Sequence, residues 1–362
     1  MREAGARRRN QELVSHLIES GVLTDPAVTA AFEGVLRHHF LPGRRLAYVY
    51  EDAAIPTKTD EHGLALSSSS QPAIMALMLQ QLALQPGQRI LEIGAGTGYN
   101  AALMGRLVGP DGAVYTLDID EEVCHQARAN LGAAGAENVQ VVDADGADGW
   151  PEQAPYDRLI VTASVADLAP AWLDQLADGG RLVVPLALAG PSHLCVAFVK
   201  RGRGLFSDGL SSCGFLPLRG EMAFDMKIAE PDRTLPLPGR PTWMSLPVAD
   251  GSVPFKTWLA LTRPGFVQHR LEPEAPLVFG LRDDGGGAAL AVPEHDALWI
   301  YAFGEAGEAA DRLLEAHRDW ALRHPNPEQF KIAAYPKGDE PPPDPGQLAF
   351  RRERFSFLVT QP

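Results

Sequence analysis

A short apolar run, Arg89 to Ile93, breaks on Gly94-Ala95-Gly96-Thr97-Gly98 and resumes as a helical pattern from Tyr99 to Val108. Glycines at such a break let the backbone turn tightly and approach a ligand, and the helix that follows opens with free N–H groups. The alternation continues downstream. Ala113 to Leu117, Val139 to Val142, Leu159 to Thr162 and Arg181 to Val184 read as strands, with helices over Glu121 to Ala134 and Ala171 to Leu176. Strand and helix in strict alternation imply a parallel sheet covered by helices on both faces. Cys195 to Lys200 and Gly214 to Leu218 read as two closing strands.

The flanks are less regular. Residues 8 to 42 read as helical, with Leu13, Leu17 and Ile18 on one face. A second helix is expected from Pro26 to about His39, since Asp25-Pro26 offers an N-cap and a proline at the first helical position. Residues 43 to 70 read as irregular, and Pro72 to Leu82 as an apolar helix. Beyond Gly220, residues 230 to 242 (EPDRTLPLPGRPT) suggest a linker. Pro276 to Gly280 and Ala288 to Val292 flank the turn DDGGG as a hairpin. A strand from Leu298 to Phe303, a helix from Gly307 to His324, and strands at Lys331 to Tyr335 and Phe355 to Thr360 complete a small α+β domain. The expected division is 1–70, an N-terminal helical and substrate-loop segment; 71–220, the α/β core; and 221–362, an accessory domain.

Composition narrows the class. A formal charge of −14 disfavours a nucleic-acid partner, because phosphate binding needs basic surface. No uninterrupted apolar stretch of membrane-spanning length occurs, and MREAGARRRN lacks an apolar signal core, so no membrane partner and a cytoplasmic location are expected. Cys124, Cys195 and Cys213 show no CxxC spacing, so neither a disulfide framework nor a metal site is expected. Oligomerisation beyond a monomer or weak oligomer has no signal.

The spacing Gly94, Gly96, Gly98 is GxGxG rather than the GxGxxG of a dinucleotide site. Asp118 ends the next strand, where a carboxylate accepts both hydroxyls of a ribose, and Asp145-Gly146 ends the third, placed for an adenine amine. Loop and two acidic strand ends in this order indicate nucleoside binding. The LEIGAGTG wording selects S-adenosylmethionine, with S-adenosylhomocysteine as product, over a nicotinamide.

RHHFLP (37–42), SQP (70–72), LEIGAGTGYNAALM (91–104), VYTLD (114–118), ADG (144–146), GWPEQAPYDRLIVTAS (149–164), LDQLADGGRLVVP (173–185) and FLPLRG (215–220) resemble the protein-L-isoaspartate (D-aspartate) O-methyltransferases. The resemblance covers about residues 8 to 220. It implies a Rossmann-like S-adenosylmethionine-dependent methyltransferase fold of class α/β and a carboxyl O-methyltransferase. The cofactor would be held by Glu92, Gly94, Ala95, Gly96, Thr97, Gly98, Asp118, Ile119, Asp145, Gly146, Thr162 and Ala163. The acceptor carboxylate would lie near the segment ending at Ser70.

Such a transfer asks little of acids and bases, because a carboxylate is already a nucleophile at neutral pH and a sulfonium is a good leaving group. Alignment and exclusion of water do the work. Ser67, Ser68, Ser69 and Ser70 offer hydroxyls to hold the acceptor, with Ser70 and Ser69 as catalytic candidates and Ser67, Ser68, Gln71 and His62 as substrate contacts; the competing role is a helix cap. Relatives usually carry GQTIS or ATIS where this chain has GLALSSSSQP (63–72), and usually end soon after the FLPLRG strand. Both departures resemble the branch with a C-terminal extension that serves ribosomal peptide biosynthesis (lanthipeptides, lasso peptides, graspetides), where esterification of an aspartate leads to an aspartimide. That function is expected first, with residues 221–362 recognising the peptide. Repair of L-isoaspartyl residues in damaged proteins is the alternative, and a binding protein without turnover is a third. Either enzyme takes a peptide or protein presenting an Asp or isoAsp carboxylate. His38 and His39 read as packing or capping residues, His125 and His317 as surface, and Trp243, Trp258, Trp299 and Trp320 as core.

Overall fold

The computed structural model describes residues 2–189, 192–224, 245–247, 252–270, 277–285, 287–294, 297–303, 307–323 and 325–361. The linker read at 230–242 and Trp243 lie outside these residues.

The N-terminal unit runs α1 (Arg2–Glu19), α2 (Pro26–Gly34), a 3-10 turn (Arg37–Phe40), α3 (Leu46–Val49), β1 (Ile55–Thr59), β2 (Ala65–Ser69) and α4 (Pro72–Leu82). Asp25 caps α2 by accepting from the N–H groups of Ala27 and Val28. The helix stops at Gly34 and hands over to the tighter turn, earlier than the apolar pattern implies. The segment 43–70, which reads as irregular, contains the antiparallel hairpin β1–β2.

The catalytic region follows as β3 (Arg89–Ile93), α5 (Tyr99–Val108), β4 (Ala113–Asp118), α6 (Glu121–Ala134), β5 (Val139–Asp143), β6 (Tyr156–Val161), α7 (Pro170–Gln175), β7 (Leu176–Ala189), β8 (Ser192–Arg201) and β9 (Gly204–Cys213). The α/β expectation holds here: β3 pairs in parallel with β4 and β6, β4 with β5, and β6 with β7. Side chains along β3 divide between the two faces. Leu91 and Ile93 pack with Trp172 of α7, whereas Ile90 packs with Leu103 of α5, Met75 of α4 and Leu17 of α1. The strand placed at Gly214 to Leu218 is instead an extended strap, anchored where Ser164 N–H donates to Leu216 O (2.8 Å) and Leu218 N–H to Ser164 O (2.9 Å). The closing strand is β9, one hairpin earlier.

The C-terminal portion comprises β10 (Ser245–Pro247), α8 (Ser252–Thr262), β11 (Phe266–Arg270), β12 (Leu277–Arg282), β13 (Ala288–Glu294), β14 (Ala297–Phe303), α9 (Gly307–Arg323), β15 (Lys331–Pro336), β16 (Leu348–Arg351) and β17 (Phe355–Thr360). β10 to β14 form a five-stranded antiparallel sheet under α8 and α9. Trp258 and Trp320 are core, as expected, and Trp299 is half-buried. His317 is not a surface residue: it lies buried against the Phe255 ring at 5.2 Å, because it shares the inward face of α9 with Leu313 and Trp320.

The chain then returns. β15 pairs with β9, and β17 and β16 extend beyond it, giving one ten-stranded sheet in the order β16-β17-β15-β9-β8-β7-β6-β3-β4-β5. Residues 331–360 therefore belong structurally to the catalytic sheet, although the sequence division places them in the accessory unit. Phe330, Phe355 and Phe357 are fully buried in the same core as Leu91, Trp172 and Phe198. No helix among the described residues is long and apolar enough to cross a membrane.

Each of those three phenylalanines contributes roughly 2 kcal/mol of apolar burial. A chain ending at Met222 is thus expected to aggregate or lose its cooperative melting transition, as read by gel filtration and circular dichroism. A soluble monomer melting with the full-length protein would show that the last strands add nothing to the catalytic fold.

Candidate active site

β3 delivers the chain to a turn that only glycine accommodates at two points. Gly94 has φ of 100°, and a Cβ there would sit 2.4 Å from Thr162 Oγ1; Gly96 has φ of 50° and lies against the carbonyl of Ser68. Thr162 Oγ1 donates to Gly94 O at 2.7 Å and holds the turn from β6. Gly98, with φ of 82°, starts α5 and packs against Leu131 rather than facing the cleft. The turn borders a cleft of about 750 Å³, lined on one side by Gly94 to Thr97 and on the other by residues 65–71 and 212–219.

Glu92 braces this loop from behind. Its carboxylate is fully buried and accepts from Thr116 Oγ1 (2.6 Å) and Asn100 Nδ2 (2.7 Å). Burial pushes it up to about 7, against the opposing pull of those two hydrogen bonds. It does not line the cleft, which corrects the expectation that it contacts a cofactor. A carboxylate two residues before the glycine turn points into the sheet's covered face, toward Thr116 on β4.

Asp118 reaches the cleft from the end of β4. Its Oδ2 accepts from Gly96 N–H and its Oδ1 from Asp120 N–H, both at 3.2 Å. Burial raises its pKa, while those N–H groups and Arg219 oppose the rise. Asp120 is also pushed upward by partial burial, but Lys58 (2.8 Å), the Val123 N–H and Arg219 (3.2 Å) outweigh this and hold it at about 2. Lys58 belongs to β1 and Arg219 to the strap, so both coverings of the cleft converge on this strand end. Ile119, Gly146, Thr162 and Ala163 line the cleft as expected, whereas Asp145 does not. Its oxygens accept from Ala147 N–H (2.9 Å) and Glu221 N–H (2.8 Å), because a short helical turn begins immediately after it.

The acceptor corner is built around Arg37. This fully buried guanidinium donates to the carbonyls of Val49, Glu51, Ala53 and Ser70 at 2.9–3.0 Å and, at 3.4 Å, to both the carbonyl and hydroxyl of Ser69. Asp52 secures the other half of the corner: it accepts from Ala73 N–H (2.9 Å) and Gln71 Nε2 (3.0 Å), capping α4. The serines are thereby relieved of the capping role. Alternation along β2 buries Ser67 and Ser69; both still line the cleft, and the Ser69 hydroxyl also accepts from Arg37 at 3.4 Å. Ser68 and Ser70 are half-buried, line the cleft, and have no hydrogen-bonded side-chain partner among the described residues. Gln71 lines the cleft with its amide committed to Asp52. His62 sits exposed on the hairpin turn beside Glu61, outside the cleft lining.

Sequence reasoning missed the parts played by Arg37, Asp52, Lys58, Tyr99, Asn100 and Arg219. Four of them lay inside quoted motifs: Tyr99 and Asn100 in LEIGAGTGYNAALM, and Arg37 in RHHFLP and Arg219 in FLPLRG, where a charge among apolar residues was the available signal. Tyr99 lines the cleft with its buried hydroxyl unpartnered among the described residues, and its ring packs on Phe32 and Phe40.

The glycine turn, Asp118 with acceptor capacity toward a diol, and the apolar residues Ile93, Leu117 and Ile119 fit the nucleoside of S-adenosylmethionine. A family model described as protein-L-isoaspartate(D-aspartate) O-methyltransferase matches residues 8–223. The protein-L-isoaspartate O-methyltransferase of Hyperthermus butylicus is 38% identical over 238 residues, 64% of this chain and 94% of that protein. A solved structure described as a protein-L-isoaspartate O-methyltransferase aligns with 90% of this chain and 96% of its own at 29% identity and a TM-score of 0.56. A Plasmodium falciparum structure of a beta-aspartate methyltransferase in complex with S-adenosyl-L-homocysteine covers 58% of this chain and 98% of its own, at 20% identity and a TM-score of 0.52, and shares the fold.

Glu92 makes stability depend on pH with a defined sign. Its folded pKa of about 7 exceeds the ordinary 4.5, so its contribution is full below pH 4.5 and is lost as pH rises through 7. The loss is on the order of 3 kcal/mol. Glu92→Gln should remove this component, since Asn100 Oδ1 has no partner among the described residues and its amide can turn to accept from the new side chain. Urea unfolding between pH 5 and 8 should show the two proteins diverging, with the variant gaining on the wild type as pH rises. Parallel profiles would refute the assignment.

Proposed function

The chain belongs to the protein-L-isoaspartate(D-aspartate) O-methyltransferase family, and on that premise we propose that it methylates the free carboxylate of L-isoaspartyl residues in proteins or peptides, with S-adenosylmethionine as donor. One observation carries the reading: the glycine turn and the unengaged hydroxyls of Ser68 and Ser70 border a single cleft, whose lining among the described residues includes Cys213 but no histidine or lysine. A carboxylate acceptor needs no base.

S-adenosylmethionine, when bound, supplies a methyl group on a positively charged sulfur. Gly94 to Thr97 would cradle its nucleoside and Asp118 would take the ribose hydroxyls. Ser68 and Ser70 would hold one oxygen of the acceptor through neutral O–H donors, which leaves the other oxygen nucleophilic. Ile74, Met75, Phe215 and Leu216 keep water from that line of approach. The transfer would need no proton shuttle, because an ionised acceptor oxygen would take the methyl group and the bound donor would supply the sulfur leaving group. The chain's contribution is alignment and exclusion of water.

The reading as a maker of aspartimide in ribosomal peptides rested on the serine-rich loop and on the length beyond residue 220. Length has lost its weight, because a solved protein-L-isoaspartate O-methyltransferase aligns with nearly the whole chain. The serine loop still favours a more polar acceptor pocket, so a constrained aspartyl peptide belongs in the same experiment.

With labelled S-adenosylmethionine, an L-isoaspartyl hexapeptide should be esterified in preference to its aspartyl counterpart. Ser70→Ala should reduce kcat/KM about tenfold to a hundredfold, the scale of one lost hydrogen bond to an ionised group. Labelling confined to a cyclised aspartyl peptide would overturn the repair reading in favour of peptide modification.

A further inference from the structure

We propose that Arg219 recognises the acceptor carboxylate, and that occupation of Asp118 by the cofactor's ribose is what frees it to do so. The inference rests on the function proposed above.

Arg219 stands at the end of the strap, one residue beyond Leu218, whose N–H is fixed on Ser164 O at 2.9 Å. Gly220 follows with φ of 85°, so the backbone turns away immediately and only the side chain enters the cleft. Among the described residues lining the cleft, it is the only basic one. The side chain remains 34% exposed, which leaves it room to move.

Its present partners are unequal. One nitrogen lies 3.2 Å from Asp120, the other 3.5 Å from Asp118 Oδ1. Asp118 already accepts two backbone N–H groups at 3.2 Å, so the guanidinium is its longest and most easily replaced contact. Two ribose hydroxyls presented to that carboxylate compete for the same lone pairs. Asp120 does not depend on Arg219 either, because Lys58 lies 2.8 Å from it. Displacement thus strands no buried charge.

The acceptor side needs what is released. A carboxylate entering this cleft meets the field of Asp118, in a chain of net charge −14. Serine hydroxyls supply hydrogen bonds but no countercharge. A guanidinium offering one N–H to one oxygen supplies both and leaves the second oxygen able to attack. Binding would then be ordered, with cofactor preparing the peptide site.

The test is calorimetry with S-adenosylhomocysteine, followed by an L-isoaspartyl peptide added to the saturated protein, on wild type, Arg219→Gln and Arg219→Lys. In Arg219→Gln, S-adenosylhomocysteine should bind as tightly as in wild type or more tightly. Its peptide affinity should fall about tenfold to a hundredfold and KM rise in proportion, with the smaller change in kcat. Arg219→Lys, which keeps a cation for Asp120, should recover part of the peptide affinity. If S-adenosylhomocysteine affinity drops tenfold while peptide affinity holds, Arg219 is a cofactor clamp and the proposal is wrong; unchanged peptide affinity in both variants also overturns it. Failure of the wild type itself to bind S-adenosylhomocysteine or the peptide would strike the proposed function instead.

Discussion

One buried guanidinium holds the serine corner of the cleft in place. Arg37 gathers carbonyls from the start of the hairpin region and from the Ser69–Ser70 corner into a single fan, with no exposure to solvent. Removing it would leave those carbonyls buried without donors, a cost on the order of 3–5 kcal/mol for a charged network of this kind. The N-terminal helices exist to enclose that group: Phe32 and Phe40 pack around Tyr99, and Tyr99 lies beside the guanidinium. Nothing in the Rossmann-like sheet itself would hold the serine segment against the glycine turn.

The donor side is organised by a different contrast. Asp118 and Asp120 stand two residues apart and are driven in opposite directions. Burial is the largest influence at both; it prevails at the first and raises it, while at the second Lys58, the Val123 N–H and Arg219 together outweigh it. The outer carboxylate is an anchor for the hairpin and the strap. The inner one, facing the cleft, keeps acceptor capacity for hydroxyl donors. A single acidic residue could not do both, because the cations that anchor the coverings would occupy the oxygens a diol requires.

The repeating strand–helix core was legible because buried parallel strands and amphipathic helices write their periods directly into sequence; α4, β3, α5 and α6 fall where the pattern places them. What the pattern could not show was direction. Glu92 reads as a ligand contact until the sheet turns it inward onto Thr116, and Asp145 until the backbone N–H groups of Ala147 and Glu221 claim its oxygens. The hairpin 55–69 and β9 were hidden for another reason. TKTDEHGLALSSSS and GLFSDGLSSC carry polar residues on faces the fold buries, and Ser207 and Ser211 earn no apolar signal although Ser207 accepts from Ile332 N–H at 2.8 Å. The burial of Ser207 is settled by β15, more than a hundred residues away in sequence.

That distant pairing also changes what the extra length can mean. An appended recognition module would be expected to keep a core of its own, with its ends close together and the catalytic sheet closed without it. Here Phe279, Leu298 and Trp258 share one apolar core with Leu91 and Phe198, and the sheet's edge at β9 is covered only when the chain comes back as β15 to β17. Length past the family motifs is therefore a structural completion first, and it carries no information about substrate by itself. The side chains proposed to choose the substrate line the cleft itself: the hydroxyls of Ser68 and Ser70 and the guanidinium of Arg219. A polar loop and one cation on the cleft wall opposite the glycine turn suit a small anion on a flexible chain, and the isoaspartyl carboxylate proposed above is such an anion.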